Sequence, residues 1–170
     1  MYAVDNLDTV VERTDVPQSS VGAPCPMVLS GEHFLHLAYY LENREDSWGG
    51  TSVRVISESS PHEPCALVRF SRARAHLFGP PNDETFLGHP LASRGLRPYA
   101  VFEVERSSWI RRLEQMNSVH PQHSPGRFAR LKHFVFAFHD SVFECVAESF
   151  ELSARRASVA SVLRESWPAG

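Results

Sequence analysis

The stretch "KHFVFAFHDSVFEC", residues 132–145, sets imidazole and carboxylate groups at fixed intervals among phenylalanines. Successive side chains of a strand point to opposite faces. Phe134, Phe136 and Phe138 therefore share one face, and His133 and His139 share the other. A return strand beginning just after "DS" pairs Phe138 with Phe143, Phe136 with Cys145 and Phe134 with Ala147, which makes one face wholly apolar. The same register sets Ala137 opposite Glu144, His133 opposite Glu148, and His139 one diagonal step from Glu144. An enclosed carboxylate beside an imidazole is a general acid–base pair. In water the same pair is a modestly stabilising cross-strand contact. Val135, Ala137, Val142 and Val146 interleave with these polar groups, and an apolar wall carrying a few convergent polar groups is how small-molecule pockets are built. Glu144 and His139 are the expected proton-exchanging pair.

A second source of chemistry is "GPPNDETFLGHPLASRGLRP", residues 79–98, which has no clean helix or strand period. Unstructured loops longer than about 12–15 residues are uncommon in compact domains and are functional or disordered when they occur. Phe86, Leu87, Leu91 and Leu96 give this one apolar anchors, so it reads as an ordered loop roofing one end of the sheet. Asp83 and His89 would orient or close the site. Asn82, Glu84 and Arg94, with His133 and His120 from elsewhere, would contact a ligand.

Nine histidines raise the question of a metal. "NSVHPQHSPG" holds an HxxH pair, His120 and His123, and His89, Asp83 or His139 are the candidates to complete it. Zinc needs three or four ligands at workable geometry, and no CxxC pair or HExxH helix accompanies this one. Neither a metal nor another cofactor is expected. The chain also lacks GxSxG, P-loop and GxGxxG motifs, which removes the usual support for a hydrolase elbow or a phosphate cradle.

The whole chain narrows the partners. With 170 residues and a formal charge of −3, there is no electrostatic reason to expect nucleic acid or an anionic membrane. Cys25, Cys65 and Cys145 have no framework spacing and read as reduced thiols. No apolar run reaches signal-peptide or membrane-span length. The expectation is a soluble, cytoplasmic protein whose partner is a small-molecule ligand or another protein.

The elements that must position these residues follow from periodicity. Residues 1–24 read as a flexible or docking leader with a short helix over 4–13, and residues 25–170 as one globular domain. Strand patterns cover 33–42, 51–57, 64–72, 74–79, 99–105, 131–138 and 142–150, with a turn-rich loop over 43–50. Trp109, Ile110, Leu113 and Met116 recur at helical spacing, predicting an amphipathic helix near 107–118 capped by Ser107 or Ser108. A short helix can start at Ser124 and Pro125. Ser153 can cap a C-terminal helix burying Val159, Val162 and Leu163. Together these predict an α+β fold: a curved antiparallel sheet or partial barrel of about six or seven strands, covered by the two longer helices. Two functions compete. One is a small enzyme or small-molecule-binding protein with a His/Glu-lined pocket under the 79–98 loop. The other is a non-catalytic inhibitor or accessory subunit, presenting a flat exposed patch around Trp48, Tyr39 or Tyr40.

Overall fold

The structure is a computed structural model and describes residues 2–43 and 55–167. The fold is α+β, with two antiparallel sheets and three helices among the described residues. The strands are β1 (Thr9–Glu12), β2 (Met27–Ser30), β3 (Leu35–Tyr40), β4 (Pro64–Ser71), β5 (Ala75–Gly79), β6 (Val101–Glu105), β7 (Lys132–Ala137), β8 (Val142–Ala147) and β9 (Ser149–Arg156). Helix α1 spans Ser108–Asn117, α2 Pro125–Phe128 and α3 Val159–Glu165. One sheet runs β1-β6-β7-β8-β5 and the other β2-β3-β4-β9. The described strands do not close into a barrel and are divided between two sheets, consistent with the expected curved antiparallel arrangement.

Alternation explains how these layers stack. The phenylalanine face of β7 and β8 meets Leu35, Leu37, Tyr39, Val68 and Phe70 of the other sheet, forming the central core. Phe70 packs within 6.2 Å, centroid to centroid, of the rings of Phe134, Phe136, Phe143 and Phe150. The back of β3 and β4, with Ala38, Tyr40 and Leu67, is covered by Val159, Val162 and Leu163 of α3. The opposite face of β7 and β8 is not open to water. It lies under Tyr2, Phe86, Leu91, Leu96 and Trp109. The central strands of both sheets are thus buried on two sides, which is why β3 and β8 are buried at every position despite antiparallel pairing. Tyr39 and Tyr40 are each 1% exposed, so they form no docking patch. Trp48, the 44–50 part of the expected loop, and residues 51–54 of the expected strand lie outside the described residues.

Three expectations need correction. Residues 9–12 form β1 rather than a helix, because β6 offers an open edge from Glu105 to Phe102 that pairs with all four. The helix after residue 153 starts later. β9 continues to Arg156 alongside β4, and Ser158 caps α3 by accepting from the Ser161 amide. The hairpin register also differs. Phe136 pairs with Phe143 and Phe134 with Cys145. The Phe138 amide donates to the Ser141 carbonyl at 2.9 Å, so His139 and Asp140 make the two-residue turn instead of "DS". A slip of two residues keeps every side chain on its face but changes its opposite neighbour.

Candidate functional site

The register places Val135 opposite Glu144 and leaves His133 diagonal to it. The His133 Nε2 lies 3.0 Å from Glu144 Oε2. The 79–98 loop folds through two 3-10 turns, Phe86–Gly88 and Ala92–Arg94, and lowers His89 onto the same carboxylate, with Nε2 at 3.3 Å from Oε1. Tyr2 reaches in from the N-terminal segment, and its hydroxyl donates to Oε2 at 2.5 Å. Ser107, the α1 N-cap, stands 3.0 Å from His133 Nδ1. Trp109 stacks on Tyr2 at 5.0 Å and meets His133 edge-on.

Hydrogen bonding sets the proton positions. The Leu91 amide donates to His89 Nδ1, so that nitrogen carries no proton and Nε2–H donates to Glu144. Ser107 Oγ accepts from the Ile110 amide and lies 3.0 Å from His133 Nδ1, while His133 Nε2–H faces the ionised Glu144. Burial pushes the Glu144 carboxyl up, but the bonds from His133 and His89, the charge of His133 and the bond from Tyr2 outweigh it and hold the group down at about 2. Burial, then the Glu144 charge, push the Tyr2 phenol far up, so it remains a donor. Both carboxylate oxygens are taken up by side chains of the protein itself. A carboxylate held so firmly ionised is a poor proton shuttle at neutral pH. What it does instead is tie the N-terminal segment and the 79–98 loop to the β7–β8 hairpin.

His139 takes no part in this group. At the turn, its Nδ1 lies 3.1 Å from Asp140 Oδ1 and 3.8 Å from Asp83 Oδ1. Asp83 is bound into the turn by its amide, which donates to the His139 carbonyl, and its Oδ2 accepts from the Tyr99 hydroxyl. That bond from Tyr99 lowers the Asp83 carboxyl and raises the Tyr99 phenol to about 12. Tyr99 has φ of 59°, a left-handed conformation that a bulky residue adopts at a cost and that clusters at functional sites. The structure therefore brings His89, His133 and Glu144 together in one place and Asp83 with His139 in another. The other sequence candidates sit apart. Asn82 Oδ1 accepts from Thr85, and Glu84 is exposed. Arg94 donates to the Asp8 carbonyl, and His120 is an exposed loop residue. Among the described residues, no group of three or more His, Cys, Asp or Glu side chains is arranged so that it could hold a metal ion. Burial raises the Cys145 thiol well above its ordinary range, so it is a packing residue.

Tyr99 also lines a pocket of about 360 Å³ where the two sheets part. Tyr39, Phe136 and Phe138 line it, together with Arg13, Gln18 and Arg97. Each arginine already has a carboxylate partner. Arg13 is held by Asp15 at 2.8 Å and Glu103 at 3.1 Å, and Arg97 by Glu12 at 2.5 Å. The Tyr39 hydroxyl, in contrast, is buried with no hydrogen-bond partner among the described residues. Burial raises this phenol strongly, so it keeps its proton. Sequence reasoning gave no role to Tyr2 or Tyr99, read Ser107 only as a helix cap and set Tyr39 in an exposed patch, because nothing in their local spacing shows what they meet across the fold. Compared with known proteins, the chain matches no family model, no curated protein and no solved structure.

Proposed function

We propose that this is a small-molecule-binding protein whose ligand occupies the pocket between the sheets. The observation that carries the reading is the Tyr39 hydroxyl, buried and unpaired beside Phe136 and Phe138 in the pocket lining. A buried hydroxyl without a partner costs about 1–3 kcal/mol and calls for an explanation, such as a ligand acceptor. With the arginines of the pocket neutralised by Glu12, Asp15 and Glu103, the favoured ligand is uncharged, mostly apolar and carries one acceptor such as a carbonyl oxygen. An enzymatic version of this reading assigns proton exchange to His139 rather than Glu144. His139 is half-exposed and held by carboxylates, while Glu144 is enclosed by its own donors.

A fragment screen by amide-shift NMR tests the proposal. Hits are expected to move the signals of Tyr39, Tyr99 and Phe136. They should vanish in Thr14→Trp, which fills the exposed rim, and weaken about tenfold in Tyr39→Phe, the worth of one neutral hydrogen bond. Hits that ignore both substitutions would remove the pocket from consideration.

A further inference from the structure

A second pocket of about 360 Å³ lies on the far side of the five-stranded sheet, between α1, α2 and the start of β5. Leu113 and Met116 of α1, Phe128 of α2, and Leu131 give it an apolar lining. Met116 is 61% exposed, so the apolar stripe of α1 runs out of its own core into this groove. Methionine is well suited to an adaptable binding surface.

The charges of this groove distinguish it from the first pocket. Arg74 and Arg127 line it, no acid does, and neither guanidinium makes an ion pair or hydrogen bond among the described residues. Their neighbours differ in this respect. Arg72 and Arg130 both reach Glu148, and Arg112 donates to Gln115. Two unpaired guanidiniums bordering an apolar hollow complement a ligand that is anionic at one end and greasy along its body. Among the described residues, the only other polar side chain lining the groove, Asn117, already places its Oδ1 3.2 Å from His123 Nδ1.

We propose that this groove binds a small amphipathic carboxylate, with its headgroup on Arg74 and Arg127 and its apolar body against Leu113, Met116, Phe128 and Leu131. The site is independent of the pocket between the sheets and is sensitive to different substitutions. It is an anion site by charge and a lipid-like site by lining, so neither a plain inorganic anion nor an uncharged alcohol should satisfy it.

Calorimetric titration of the full chain with decanoate, kept below its micelle concentration, tests this against decanol and inorganic phosphate. Decanoate is expected to bind with one-to-one stoichiometry, and decanol and phosphate at least about tenfold more weakly, since each lacks one of the two contact types. The double variant Arg74→Gln/Arg127→Gln should lose about tenfold in decanoate affinity. Both arginines are exposed, so folding should be unaffected. Met116→Glu, placing a negative charge at the rim, should weaken binding by a similar factor, while Thr14→Trp should leave it unchanged. Equal binding of decanoate and decanol, wild-type affinity in the double variant, or loss of binding in Thr14→Trp would each overturn the assignment.

Discussion

Replacing Glu144 by glutamine probes the buried network at its centre. The carboxylate is 5% exposed and accepts from Tyr2, His89 and His133, which together hold it at about 2 against an ordinary 4.5. A depression of that size corresponds to about 3 kcal/mol of folding stability at neutral pH. Because the folded-state value is the lower one, this contribution is fully present above about pH 4.5 and drains away as the pH falls toward about 2. Glutamine keeps the shape but turns one acceptor into a donor, which then faces an N–H or O–H of its former partners. Breaking a buried charged contact by changing one partner typically costs about 3–5 kcal/mol. Urea denaturation followed by circular dichroism should show Glu144→Gln less stable by about 3 kcal/mol at pH 7. The gap between wild type and variant should narrow between pH 4.5 and pH 2.5. A variant within 0.5 kcal/mol of wild type at pH 7, or a gap that does not change with pH, would refute the account of Glu144 as an ionised tie point.

Further substitutions separate the parts of the structure. Tyr2→Phe removes one donor to a charged acceptor and should cost about 1.5–3 kcal/mol in urea melts. Tyr2→Ala should cost more, because the stack on Trp109 goes too. Ser107→Ala and Ser158→Ala both remove helix caps worth about 1 kcal/mol. Ser107→Ala should be the more damaging in paired melts, because it also leaves His133 Nδ1 without its partner. Tyr39→Phe should leave stability unchanged or raise it by up to about 1 kcal/mol in thermal melts, since the lost hydroxyl has no partner to lose.

How far the sequence reaches is clear from particular elements. β4, β5 and β6 fall within two residues of their expected spans, because alternation and flanking turns are local signals. β1 does not, because Leu7, Val10 and Val11 fit a helical spacing and only the open edge of β6, ninety residues away, decides otherwise. The faces of the final hairpin are legible because parity survives a two-residue slip. Its contacts are not, because "HD" and "DS" are both acceptable turns, and choosing "HD" moves His139 to the tip and gives Glu144 to His133. His89 reaches Glu144 through a loop whose path follows from apolar anchors rather than any period. Tyr2 lies 142 residues from its partner and carries no local mark at all. The pocket between the sheets exists only once two sheets pack, so spacing could not mark Tyr99 and set Tyr39 in an exposed patch instead of a pocket wall.

A crystal structure of the protein soaked with fragments bearing a carbonyl group on an apolar ring tests the central proposal most directly. The account predicts density between the sheets over Phe136 and Phe138, with a ligand oxygen within about 3 Å of the Tyr39 hydroxyl. Density seated instead against Glu144, with Tyr2 or His89 displaced from it, would contradict the account.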